Sequence, residues 1–104
     1  MTIRCRKLRK IKKELDELRR GGGQKSARQL EQLAIRLGRK RHPKGKEPTY
    51  FNEILTELPP LSIPGHGGDL KPGTAKSILD QLDDDIFHLM EICEEDESEE
   101  DQDD

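Results

Sequence analysis

The chain has 104 residues, of which 30% are hydrophobic and only three are aromatic, so it can bury one small core and hold one domain. No apolar run approaches the ~20 residues of a membrane span, and the basic N-terminus lacks the apolar stretch of a signal peptide. We therefore expect a cytoplasmic protein.

The formal net charge of −3 conceals two halves of opposite sign. Residues 1–46 carry 17 Lys and Arg against 4 Asp and Glu, whereas residues 47–104 carry 2 against 18. The basic half is suited to binding phosphate, and the acidic half to attracting a basic protein or competing for the basic half. From Glu94 the chain has too few apolar residues to fold alone, which predicts a disordered acidic tail, 94–104, that serves solubility or autoinhibition.

A basic amphipathic helix is predicted over residues 3–20, before three glycines. Its apolar residues recur at intervals of three and four: Leu8, Ile11, Leu15 and Leu18. The apolar stripe is narrow and the rest of the surface is basic, so the helix needs a partner surface. The rest of the chain, another copy of it in a homo-oligomer through residues 3–20, or RNA could provide that surface. Residues 1–23 are predicted to form this helix and a glycine linker.

A second helix is predicted to begin at a capping box and to end at a glycine. Ser26 and Gln29 have the capping-box spacing, and Gly38 is a typical C-terminal stop. One face of this helix is apolar and comprises Ala27, Leu30, Leu33, Ala34 and Leu37. A short strand is predicted further on at 49–51 by residue propensity, and 53–58 could be a loop or a helical turn.

The segment 61–79 combines a strand, a glycine-rich turn and a helix start. Leu61 and Ile63 alternate around Ser62 as in a half-buried strand, and the Pro and Gly residues after them forbid its continuation. Thr74 is predicted to cap the last helix. Apolar residues then recur at helical spacing: Ala75, Ile78, Leu79, Leu82, Ile86, Leu89 and Cys93.

This segment resembles the end of the HicA family of bacterial type II toxins. There a strand reading V-P-x-H-x-G leads through K-E-L-K-P-G-T into a helix reading L-R-S-I-L. Twelve residues match in order: Ile63, Pro64, His66, Gly68, Leu70, Lys71, Pro72, Gly73, Thr74, Ser77, Ile78 and Leu79.

The resemblance implies an α+β fold and a double-stranded-RNA-binding-like α-β-β-β-α domain over 24–93, to which the N-terminal helix is additional. It also places the first strand of that domain, which is rich in basic residues, at 39–42. It also implies an RNA-binding mRNA interferase that cuts without a metal or other cofactor and is held in check by a HicB-like antitoxin. In the family the central histidine lies in a G-S-H-H-like segment. Here the corresponding positions hold Glu47 and Pro48.

His42 and His66 are the candidates to replace that imidazole, since imidazole can take and give a proton near neutral pH. His42 has the alternative of a phosphate contact, and His66 that of stabilising the turn, whereas His88 is expected at the surface. Two other functions stay open. One is a catalytically inactive RNA- or protein-binding module, and the other is a small interaction protein.

Basic residues on and after the first predicted strand are the expected RNA contacts, because they can neutralise phosphates regardless of sequence. With two lysines near the start of the last helix, the predicted set is Arg39, Lys40, Arg41, Lys44, Lys46, Lys71 and Lys76. The two cysteines, Cys5 and Cys93, lie in no metal-binding pattern, and both are expected to be reduced thiols.

Overall fold

The computed structural model describes residues 3–21, 25–42, 48–64 and 69–95. Within these ranges the chain is α+β, with three helices and a small antiparallel sheet of three strands in the order β1-β2-β3. The elements are α1 Cys5–Arg20, α2 Ala27–Arg36, β1 Arg39–His42, β2 Thr49–Asn52, β3 Leu61–Ser62 and α3 Pro72–Met90.

The N-terminal helix α1 packs its apolar stripe mainly against α3. Leu8, Ile11 and Leu15 are 0% exposed and belong to the same hydrophobic core as α2, α3 and the sheet. The surface that α1 needs is therefore the rest of its own chain. Its apolar stripe is used within the molecule, and its basic side is left at the surface.

The start and end of α2 confirm the local sequence signals. The Ser26 hydroxyl accepts a hydrogen bond from the Gln29 backbone, and the Gln29 side chain accepts one from the Ser26 backbone. Gly38 follows the helix with a φ of 97°, a left-handed conformation that glycine adopts without strain. A Cβ atom at that position would lie 2.6 Å from Cδ1 of Ile54, so the close approach also requires glycine.

The segment 53–58 is a turn, and the side chain of Asn52 organises it. Oδ1 of Asn52 accepts hydrogen bonds of 2.8 Å from the backbone N–H groups of Ile54 and Leu55. Its Nδ2 donates to the carbonyl of Leu37 at 3.0 Å. The buried amide thus joins the end of α2 to the turn after β2.

The last helix begins two residues earlier than the sequence analysis predicted. Lys71 is the N-cap and Pro72 the first helical residue, so Thr74 lies within the first turn and does not cap it. Proline suits that position because its fixed φ is helical and its missing N–H has no helical partner there. The predicted apolar stripe is confirmed as buried from Ala75 to Leu89.

The expectation of two reduced thiols is wrong. Cys5 and Cys93 form a disulfide that joins residues 88 positions apart, with their Cα atoms separated by 5.0 Å. Next to it, Glu94 exchanges backbone hydrogen bonds of 2.9 Å with Ile3 and Cys5. Helical periodicity places each cysteine on its own segment, and only the packing of α1 beside α3 brings the two together.

Candidate nucleic-acid interface

The basic residues of β1 do not form one surface, because Arg39 lies in the core. Its Nε donates to Oδ2 of Asp85 at 2.6 Å, and its Nη2 donates to Oδ1 at 2.9 Å. Nη1 donates to the backbone carbonyl of Tyr50 at 2.9 Å. Both side chains of the ion pair are 0% exposed. Arg39 therefore has no access to phosphate, which corrects the surface position that the sequence analysis assigned to it.

Asp85, the buried partner of Arg39, is the residue that sequence reasoning missed. It occurs in the run Asp83 to Asp85, and the sequence analysis includes it only in the negative charge of residues 47–104. One signal could have found it: position 85 lies three residues after Leu82 and four before Leu89, which places it on the buried stripe of α3. Gln81 supports the carboxylate by donating to Oδ1 at 3.1 Å.

Lys40 and His42 lie on the opposite face of the sheet from Arg39, since successive side chains of a strand point to opposite faces. Lys40 is directly opposite Phe51, and His42 is opposite Thr49. The rings of His42 and Phe51 meet edge to face, with centroids 4.6 Å apart. Phe51 is 39% exposed. We call this surface the outer sheet face, and it comprises Lys40, His42, Thr49, Phe51 and Ser62.

A cavity of about 730 Å³ adjoins the outer sheet face. Its titratable side chains are those of His42 and Glu53, and the others that line it are Thr49, Phe51, Asn52 and Thr56. An imidazole and a carboxylate that line one cavity are both groups that can exchange protons with a bound ligand. The exposed part of the Phe51 ring is an aromatic surface of the kind on which a nucleic-acid base stacks.

Arg41 belongs to a third environment, near the hydroxyl of Tyr50 and the carboxylate of Glu31. The Tyr50 hydroxyl donates a short hydrogen bond to Oε2 of Glu31. Burial, and then this hydrogen bond, raise the pKa of Tyr50 to about 12, while the charge of Arg41 acts in the opposite direction. Arg41 is exposed. The basic strand thus contributes Lys40 to one face and Arg41 to the rim of the other.

The remaining predicted contacts are dispersed. Lys71 and Lys76 are exposed at the start of α3, and Nζ of Lys76 is 3.2 Å from a carboxylate oxygen of Asp80. His88 is at the surface as expected, and a hydrogen bond of 3.0 Å to the Asp84 carbonyl raises its pKa. The predictions for Lys44, Lys46, Glu47, His66 and residues 96–104 lie outside the described residues.

Within the described ranges, no group of three His, Cys, Asp or Glu side chains is arranged to hold a metal ion. None of the helices in the same part of the chain combines the length and apolar character that a membrane crossing needs. Comparison with protein-family models, with curated proteins and with solved structures finds no match to this chain.

Proposed function

We propose that this chain is an RNA-binding protein of the HicA-like toxin family, part of a type II toxin–antitoxin system. The observation that carries the RNA-binding role is the outer sheet face, where a cation, an imidazole and an exposed aromatic ring lie together. The element order from α2 to α3 is compatible with the double-stranded-RNA-binding-like arrangement that the sequence resemblance implies.

The proposal includes metal-independent RNA cleavage, with His42 as the group that exchanges protons with the reacting oxygens. His42 supports this role because it lines the cavity together with Glu53, the second titratable group there. A HicB-like antitoxin is the proposed partner. The specific alternative is a catalytically inactive module that binds RNA through the same face, which Pro48 favours because it occupies a position where the family has a histidine.

The proposed location is the cytoplasm, where thiol pools keep most disulfides reduced. The fold must then hold without the Cys5–Cys93 bond for part of its time. The packing of α1 supports this, because Leu8, Ile11 and Leu15 are 0% exposed and their burial stabilises the helix in addition to the bond.

A binding and cleavage assay with pure protein and a labelled RNA tests the proposal. We expect salt-dependent binding, and Lys40→Ala should reduce the slope of log K against log salt by about 0.7–0.9. Phe51→Ala should weaken binding by roughly five- to 150-fold, which corresponds to loss of one stacked base. Arg28→Ala is the matched control, since Arg28 is also exposed but lies on α2.

The outcomes distinguish the ribonuclease from the inactive RNA-binding module. Cleavage that disappears in His42→Ala while RNA binding persists supports the enzyme. Binding without cleavage in any condition supports the inactive module. Equal effects of the Lys40 and Arg28 variants, or no RNA binding by the unaltered protein, would overturn the outer sheet face as the RNA site.

A further inference from the structure

The solvent side of α1 is almost entirely basic. Seven of its eight exposed residues are Lys or Arg, and the eighth is Glu17. We call this surface the α1 basic face; its cations are Arg6, Lys7, Arg9, Lys10, Lys13, Arg19 and Arg20. Arg19 is already paired with an acid of α3, since its Nη2 is 2.7 Å from Oδ1 of Asp80. Helical geometry places Arg9, Lys13 and Arg20 opposite the buried stripe, because their spacing of four and seven residues keeps them on one side.

The acidic side chains of α1 do not neutralise the middle of this face. Glu14 is bound by Arg36 at 2.6 Å, on the side that faces α2, and the charge of Lys10 acts on it only as a weaker influence that also lowers its pKa. Asp16 is engaged by Lys12 at 3.1 Å, on the side that faces α3. Among the described residues, no acidic side chain lies within ion-pair distance of Lys7, Lys10 or Lys13. The lysines are therefore left with excess positive charge.

The described chain ends directly beside this face. Glu94 pairs in parallel with Arg4, so the chain at this point runs in the direction of the start of α1. Glu95 already follows that direction, because its Oε1 is 3.7 Å from Nη1 of Arg9. The Cys5–Cys93 disulfide holds this exit point at the first turn of α1.

The following nine residues match the face in charge and in length. Seven of the residues 96–104 are Asp or Glu, and none is Lys or Arg. Nine residues can span up to roughly 30 Å, whereas α1, with 16 residues, is about 24 Å long.

We propose that residues 96–104 bind the α1 basic face of the same molecule, so that any other polyanion must displace them. The tether at Glu94 makes this binding intramolecular, with an effective concentration in the millimolar range. The segment acts as a competitor of phosphate-rich ligands. This inference does not rest on RNA binding by the outer sheet face, because the occupant belongs to the chain itself.

The test compares the unaltered protein with a variant in which residues 96–104 are neutralised by Asp→Asn and Glu→Gln. Backbone amide shifts of α1 are measured at about 10 mM and about 1 M salt, where the screening length falls from ~30 to ~3 Å. The affinity of both proteins for a heparin oligosaccharide, a defined polyanion, is measured as well. The control variant carries Glu57→Gln and Asp69→Asn, which remove exposed acids elsewhere.

At low salt we expect the amide shifts of residues 6–13 to differ between the unaltered protein and the neutralised variant. This difference should vanish at high salt and should not depend on protein concentration. Heparin should bind about tenfold more tightly after neutralisation. That gain should be lost when Lys7, Lys10 and Lys13 are changed to Gln, and the control variant should lack it.

Three results would overturn the proposal. The first is that neutralisation changes neither the α1 amide shifts nor the heparin affinity, or only one of them, which would show that residues 96–104 do not occupy the α1 basic face. The second is a set of differences centred on Lys40 or Arg41, which would place the segment on the sheet. The third is a concentration-dependent difference, which would show that a second copy supplies the segment.

Discussion

The buried Arg39–Asp85 ion pair gives the sharpest test of the packing described above. Asp85→Asn keeps the shape of the side chain but leaves the Arg39 guanidinium without its counter-charge. Because both side chains are 0% exposed, water cannot solvate the orphaned cation without opening the core. Removing one partner of such a pair typically costs about 3–5 kcal/mol of the free energy of unfolding.

That loss is large for a domain of this size, whose total stability is expected within roughly 5–15 kcal/mol. It corresponds to a fall in Tm of roughly 15–30 °C. Urea unfolding followed by circular dichroism at pH 7 measures it directly. Asp84→Asn is the matched control, because Asp84 is the preceding residue but is exposed, and its loss should change the free energy of unfolding by at most about 0.5 kcal/mol.

The double variant Arg39→Met with Asp85→Leu tests the cause. If the cost of Asp85→Asn comes from an unpaired buried charge, removing both charges should cost less than removing one. The reasoning is refuted if Asp85→Asn costs less than about 1 kcal/mol, or if the double variant is less stable than the single one.

Two further predictions concern pH and redox state. The pKa of Tyr50 is raised to about 12, so the contribution of its neutral form to stability is complete below pH 10 and is lost as the pH rises from 10 through 12. By linkage this loss amounts to about 2–3 kcal/mol of the free energy of unfolding. Urea titrations across that pH range should show it in the unaltered protein and not in Tyr50→Phe. Reduction of the Cys5–Cys93 disulfide should lower the free energy of unfolding by about 4–5 kcal/mol, since the bond closes a loop over a sequence separation of 88. The variant Cys93→Ser should unfold like the reduced protein, with or without reductant. A stability unchanged by reductant would show that the sulfurs are not bonded in solution.

Local signals in the sequence predicted most of the elements. The capping box at Ser26, the glycine at position 38 and the helical spacing of apolar residues each depend on residues within one or two turns. Such interactions form in the same way whatever surrounds them, so they can be recognised without the rest of the fold. The first residue of α3 was misplaced because Thr74 and Pro72 both carry start signals, and the proline is the stronger one there.

The candidate site was less accessible to sequence reasoning. A run of basic residues predicts a basic surface, but alternation along β1 sends Arg39 inward and Lys40 outward. The cross-strand register then decides that His42 meets Phe51, which no local pattern reveals. The RNA-binding and toxin-family proposals stay predictions until the assays above are done.

The sequence by itself determined where helices and strands form, which residues are apolar enough to build the core, and how charge divides along the chain. Only the tertiary structure decided which distant groups meet: Arg39 with Asp85, Cys5 with Cys93, and the start of the acidic segment with α1. The physical reason is that secondary structure follows from neighbours along the chain, whereas pairing of buried charges and sulfurs follows from the packing of whole elements.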